Sequence, residues 1–273
     1  MYSGLKASIL FEERVELPDR VERIVSLSPA ITDTLVMLGL RDKIVGVSAF
    51  CPAYVREVKG LPIVGSYLDV KWSLLEELKP DIVLLGLGVQ SSIARELLGR
   101  GYHVYTLPLP TSVAGILDNT LRIGFATNSY SSALKIYLES IKQLAKIMEK
   151  TMEKPRVYVE VWVGEPRTIG YTSFIHDAVT IAGYENIYGW NSEPYPVPDY
   201  KYVLNEEPDY VIIAREVYAP PINMILEKNG LDKLEAVRKG KLIVLDVSRP
   251  LAHPSPRIID TIEYLNSVKT YDR

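Results

Sequence analysis

The chain has 273 residues, 47% apolar and 24% charged, a balance that excludes a collagen, a disordered tail and a disulfide scaffold. Its 31 Lys and Arg against 34 Asp and Glu leave a net charge of −3, so no basic excess exists to neutralise a nucleic-acid backbone. A single cysteine, Cys51, makes neither an internal disulfide nor a structural zinc site by itself.

The first 17 residues carry Glu12, Glu13 and Glu16 where a secretory leader would be basic and then apolar, so no leader is expected in the chain as given. No apolar run reaches the roughly eighteen residues of a membrane helix; the longest obvious one is 82–89. From Arg23 onward, short β-branched runs read as buried strands at 23–28, 44–50, 82–86 and 103–109, each bounded by Gly, Pro or Asp. Helical spacing separates them at 32–40, 70–78 and 91–98, each stretch closed by Gly or Pro. The second half repeats the strand pattern at 156–162, 210–214 and 242–247. This alternation predicts parallel sheets flanked by helices.

The two halves also share letters. Lys79-Pro80-Asp81 and the strand to Gly86 match Glu207-Pro208-Asp209 and the strand to Ala214. Thr32-Asp33-Thr34-Leu35, closed by Gly39, matches His176-Asp177-Ala178-Val179, closed by Gly183. Two matches in the same order predict two lobes of one design. Between them, apolar residues recur at Leu134, Tyr137, Leu138, Ile141, Leu144, Ala145, Met148 and Met152, the spacing of an amphipathic helix over 129–153. Asn128 is its expected cap and Lys154-Pro155 its stop. The expected organisation is an α/β lobe over 1–113, a helical linker over 114–154 and a second α/β lobe over 155–273.

Residues 86–91 (Gly86-Leu87-Gly88-Val89-Gln90-Ser91) form a glycine-rich strand-to-helix turn. Ser91 replaces the third glycine of a dinucleotide fingerprint, and no acid lies about twenty positions on. Gly88 is therefore read as lining a ligand crevice at a sheet's carboxyl edge, not as a phosphate cradle. His103, His176 and His253 lack partners at metal-ligand spacing. Glu76-Glu77 and Glu206-Glu207 precede Pro-Asp turns with no glycine elbow or His neighbour, and read as solvated helix ends. No catalytic constellation emerges, so neither an enzyme nor a resident cofactor is expected.

Residues 23–40, with Ile44-Val45-Gly46-Val47, resemble the opening of the helical-backbone solute-binding proteins of ABC importers, which carry cobalamin, ferric siderophores and haem. Val64-Gly65-Ser66-Tyr67, Ala182-Gly183-Tyr184-Glu185-Asn186-Ile187 and Ser255-Pro256-Arg257-Ile258 continue the likeness, which is nearest to the cobalamin-binding branch. The resemblance implies two Rossmann-like α/β lobes with parallel-rich sheets, joined by one long helix, with a ligand cleft between them. It implies a monomer outside the cytoplasm that binds a corrinoid, or another large metal chelate, and meets an ABC permease. By position, Phe50 and Tyr67 fall where that branch places aromatics against the corrin. Tyr195 falls at a tryptophan and Arg167 at a phenylalanine, while Arg249 lies in a segment replacing a carboxylate-bearing one. The positions at which family members carry permease-docking glutamates are Ser73 and Lys201 here. An intracellular corrinoid or tetrapyrrole carrier without a permease is the alternative, and an enzyme on the same scaffold a third reading.

Overall fold

The computed structural model of the protein describes residues 7–10, 13–88, 90–149, 154–249 and 251–270. Val89, Pro250 and the end of the expected linking helix, 150–153, lie outside the described residues. The chain divides into two compact units, Met1–Leu109 with Ile116–Glu139, and Pro110–Gly115 with Ser140–Arg273. Both are α/β with parallel-rich sheets. Among the described residues no helix is long and apolar enough to cross a membrane.

The first unit opens with β1 (Ala7–Leu10) and β2 (Glu13–Glu16), an antiparallel pair. Then β3 (Ile24–Ser26), α1 (Pro29–Met37), β4 (Ile44–Ser48), α2 (Cys51–Tyr54), β5 (Ile63–Gly65), α3 (Trp72–Leu78), β6 (Ile82–Gly86), α4 (Ser91–Gly99) and β7 (Val104–Leu107) alternate. The sheet runs β5-β4-β3-β6-β7 with every pairing parallel. Covered on both faces, its inner strands carry no polar alternation, which is why they read as continuous apolar runs. α1 begins three residues earlier than the spacing predicts, because Pro29 suits the first helical turn, where its missing N–H costs nothing.

Next come α5 (Val113–Ala126) and α6 (Tyr130–Glu149), and the boundary between the units falls inside α6. Asn128 does not cap α6. It takes a left-handed φ of 59° and closes α5, with Ser129 N–H donating to Gly124 O (2.8 Å) and Asn128 N–H to Phe125 O (3.4 Å). The buried face of α6 also differs from the predicted stripe: Ala133, Ser140, Leu144 and Ile147 are buried, whereas Leu134, Leu138, Ile141 and Met148 are exposed. Small residues set this phase. A Cβ on Gly124 would overlap that of Ala133, so the two helices approach closely there.

The second unit contains β8 (Arg156–Val163), β9 (Glu165–Thr168), α7 (Phe174–Ile181), β10 (Glu185–Asn186), α8 (Tyr200–Glu206), β11 (Tyr210–Arg215), α9 (Ile222–Asn229), α10 (Glu235–Arg238), β12 (Leu242–Leu245) and α11 (Ile258–Thr270). Its parallel order is β10-β8-β11-β12, and β9 pairs antiparallel with the later half of β8. β3, β4, β6 and β7 thus have counterparts in β8, β10, β11 and β12.

The repeated Pro-Asp landmark explains the likeness physically. Lys79 and Glu207 both end a helix at φ 43°, in the left-handed region, just before the proline. The following aspartate reaches back to the first strand of its own sheet. Asp81 Oδ2 accepts from the N–H groups of Glu22 (2.7 Å) and Arg23 (2.8 Å), and Asp209 Oδ2 from that of Arg156 (2.8 Å). The Arg23 guanidinium donates to Leu78 O (2.6 Å) and that of Arg156 to Glu206 O (2.9 Å). α1 and α7 end alike as well: Leu40 N–H donates to Leu35 O and Tyr184 N–H to Val179 O, both at 3.0 Å, past glycines with positive φ.

Candidate ligand-binding site

In each parallel sheet the chain leaves its first strand in one direction and later returns to the other side, making a topological switch point. It lies between β3 and β6 in the first unit and between β8 and β11 in the second. Open α/β sheets bind ligands in the crevice outside the carboxyl ends of their strands at such points.

At the carboxyl edge of the first unit, Phe50 follows β4 and Tyr67 follows β5. Their rings stack at 4.9 Å with planes 26° apart, so the structure brings these two predicted residues together. Tyr67 sits on a tight turn in which Ser66 N–H donates to Asp69 O (2.9 Å) and Lys71 N–H to Val64 O (2.7 Å). Gly65 permits the turn, since a Cβ there would overlap the Asp69 carbonyl. Burial pushes the Tyr67 phenol up to about 12, so it is a neutral donor at physiological pH. Cys51, next to Phe50 in sequence, is fully buried. Its Sγ lies 3.1 Å from both Ser48 Oγ and Thr32 Oγ1, and burial raises its pKa, which marks an inert core thiol.

Gly88 is exposed, with a φ of 99° that favours glycine. Beside it Gln90, which sequence reasoning passed over, fills the first switch point. Its Oε1 accepts from Gly86 N–H and its Nε2 donates to Leu27 O, both at 3.0 Å.

In the second unit Arg167 lies on β9 and pairs with Glu165 at 3.3 Å. Tyr195 is carried by a loop laid against the segment after β9. Thr168 N–H donates to Pro196 O (2.9 Å), Gly170 N–H to Pro194 O (3.1 Å) and Tyr171 N–H to Asn191 O (2.9 Å). A Cβ on Gly170 would overlap the carbonyls of Glu193 and Asn191, so this loop rests on a glycine as the Tyr67 turn does. Tyr195 is 36% exposed and burial raises its pKa; its hydroxyl meets Ser173, the cap of α7. Arg249 is exposed, but its guanidinium lies 3.8 Å over the Tyr264 ring of α11. Ser73 and Lys201 are exposed at the second residue of α3 and α8, equivalent places in the two units.

Two further carboxyls of the second unit escaped sequence reasoning. Glu160, at the centre of β8, is buried and accepts from Tyr158 Oη (2.5 Å) and Trp162 Nε1 (2.6 Å); it belongs to the core. Glu216 follows β11, and burial pushes it up to about 7. The available signal was the repeat itself: two residues beyond Gly86 stands Gly88, and two beyond Ala214 stands Glu216. An open cavity of about 640 Å³ lies along the edge strand β10, lined by Arg156, His176, Asn186, Trp190 and Tyr202 among others. It contains none of the predicted residues and lies away from the switch point, so the carboxyl edge is the better-founded site. Among the described residues no three His, Cys, Asp or Glu side chains come together to hold a metal.

Known proteins place this architecture. The chain is 26% identical over 257 residues to the cobalamin-binding protein of Halobacterium salinarum, spanning 90% of this chain and 69% of that protein. Two solved structures share its fold. The periplasmic vitamin B12-binding protein of Vibrio cholerae aligns with a TM-score of 0.74 at 20% identity, over 94% of this chain and 100% of that one. A periplasmic heme-binding protein from Pseudomonas aeruginosa aligns at 0.78 and 22% identity, over 91% and 92%. The family model described as periplasmic binding protein matches residues 24–248, from β3 past β12, and the chain belongs to that family.

Proposed function

We propose that the protein is the extracytoplasmic solute-binding component of an ABC importer and that its ligand is a corrinoid. Residues at the carboxyl edge of each sheet contact that ligand: Phe50, Tyr67 and Gly88 from the first unit, Arg167, Tyr195 and Arg249 from the second. The observation that carries the reading is the Phe50–Tyr67 pair, two stacked and only half-buried rings held beyond the ends of β4 and β5. Such a wall suits a wide, flat ligand, with ring faces for the macrocycle and a neutral phenol for its polar rim. Arg167 and Arg249 supply positive charge for a phosphate on that ligand. The relative from Halobacterium, by its name a cobalamin binder, supports the choice of ligand.

The test is a spectrophotometric titration of the purified protein with cyanocobalamin, hemin and ferrichrome. Cyanocobalamin is expected to bind most tightly. Tyr67→Ala and Tyr195→Ala are expected each to weaken it by about 1–3 kcal/mol, the range of one aromatic anchor. Absence of cyanocobalamin binding, or binding indifferent to both substitutions, overturns the reading.

A further inference from the structure

The two switch points are furnished differently. In the first unit the carboxamide of Gln90 bridges Gly86 and Leu27, and Gly88 presents no side chain. In the second unit the position equivalent to Gly88 is Glu216, whose N–H donates to Trp162 O (3.3 Å) and so sits on the seam between β8 and β11. The Glu216 side chain is half-buried, yet among the described residues it makes no hydrogen bond and no ion pair. The adjacent cation does not serve it: the Arg215 guanidinium donates to Pro220 O (3.1 Å) and Ala219 O (3.5 Å). Asp246, at the end of neighbouring β12, is occupied by Ser248, through its N–H (2.8 Å) and its hydroxyl (2.6 Å). Burial without a compensating partner is what raises the Glu216 carboxyl. A core carboxyl in this protein looks different: Glu160 has donors on both oxygens.

We infer that Glu216 is a specificity-determining residue of the corrinoid site, admitting a macrocycle edged with carboxamides and rejecting one edged with carboxylates. The inference rests on the ligand reading above. A carboxamide donates its N–H to either protonation state of Glu216, whereas a ligand carboxylate brings a second negative charge beside a half-dry carboxyl that pairs with no cation among the described residues. Like charges so placed oppose binding, and the discrimination comes from that repulsion as much as from attraction to the amide.

The experiment compares two ligands with the same corrin ring, dicyanocobinamide, whose rim is carboxamide, and dicyanocobyrinic acid, whose rim is carboxylate. Both are titrated at pH 8, where Glu216 is ionised, into wild-type protein, Glu216→Gln and Asp232→Asn, the last a control for net charge at an exposed acid. Wild type is expected to prefer dicyanocobinamide. Glu216→Gln is expected to shrink that preference at least tenfold by gaining affinity for dicyanocobyrinic acid, with dicyanocobinamide changing less than threefold. Asp232→Asn should leave the ratio in place. An unchanged ratio in Glu216→Gln, or the same change in Asp232→Asn, overturns the assignment while leaving the ligand reading intact. Failure of wild type to bind either corrinoid refutes the ligand reading, and the assignment with it.

Discussion

Replacing Gly65 with alanine tests how the fold presents Tyr67. The new Cβ would lie roughly 1 Å inside ordinary contact with the Asp69 carbonyl oxygen, and also close to Asp69 C (3.0 Å) and Val70 Cα (3.1 Å). All three are backbone atoms, so no rotamer change relieves the overlap and the turn itself must move. Two bonds are at stake, Ser66 N–H to Asp69 O and Lys71 N–H to Val64 O, each worth about 1 kcal/mol net. The stacking of Tyr67 on Phe50 adds about 1 kcal/mol. Alanine recovers some 0.5–1 kcal/mol by restricting the unfolded chain. The expected loss is therefore about 2 kcal/mol in urea unfolding. The accompanying signature is the Tyr67 phenol, which should titrate below its wild-type value of about 12 as its burial falls, followed by NMR of ring-labelled tyrosine. Gly99→Ala, at a helix end with nothing within 4 Å of the added Cβ, should be neutral or slightly stabilising. Gly65→Ala within about 0.5 kcal/mol of wild type, with Tyr67 still titrating near 12, would refute the reasoning.

Three other outcomes follow from the same structure. Asp81→Ala should cost about 1–3 kcal/mol, because the N–H groups of Glu22 and Arg23 lose a charged acceptor; Asp81→Asn should cost less, and denaturant midpoints at fixed pH distinguish them. Glu216 has a folded pKa of about 7, raised above its ordinary 4.5, so the neutral form favours the folded state and stability falls as pH rises between those values. Glu216→Gln should thus match wild type at pH 4 and exceed it at pH 8 by at most about 3 kcal/mol, read as a melting temperature several degrees higher; an equal gain at both pH values would contradict this. Ser73→Glu combined with Lys201→Glu should strengthen binding to a cobalamin permease in nanodiscs and make it salt-sensitive. Tight, salt-sensitive docking of the unmodified protein would show that other acids meet the permease.

The central strands were legible because both their faces are covered: 82–86 is apolar throughout and coincides with β6 residue for residue. Short edge elements carry no such signal. β10 has two residues, and β5 only three between a proline and a turn, so their existence depends on the strands they join. The linking helix was visible as a helix but mis-phased, because bulky residues set the apparent stripe while the close approach of Ala133 to Gly124 sets the real one. Around the site, Phe50 and Tyr67 were legible only through the family resemblance of the segments that carry them. The roles of Gln90 and Gly170 were not legible, since each acts on backbone groups distant in sequence: Gln90 on Leu27, and Gly170 on the 191–194 loop.

Neither compact unit is an uninterrupted length of chain. The polypeptide passes from one to the other at 109/110, returns at 115/116 and leaves again at 139/140. The six-residue excursion is structural: Val113 is buried, and its N–H donates to Asp177 Oδ2 at 2.7 Å, within the second unit. A fragment beginning at residue 140 therefore lacks a donor that α7 uses, and one ending at residue 109 lacks Ile123 and Ala126 of the first core. During synthesis the first unit is incomplete until residue 139 has left the ribosome, when part of the second unit has already been made. Each unit is completed only by residues that lie across a stretch of the other in the sequence, so neither 1–109 nor 140–273 should express as a stable fragment.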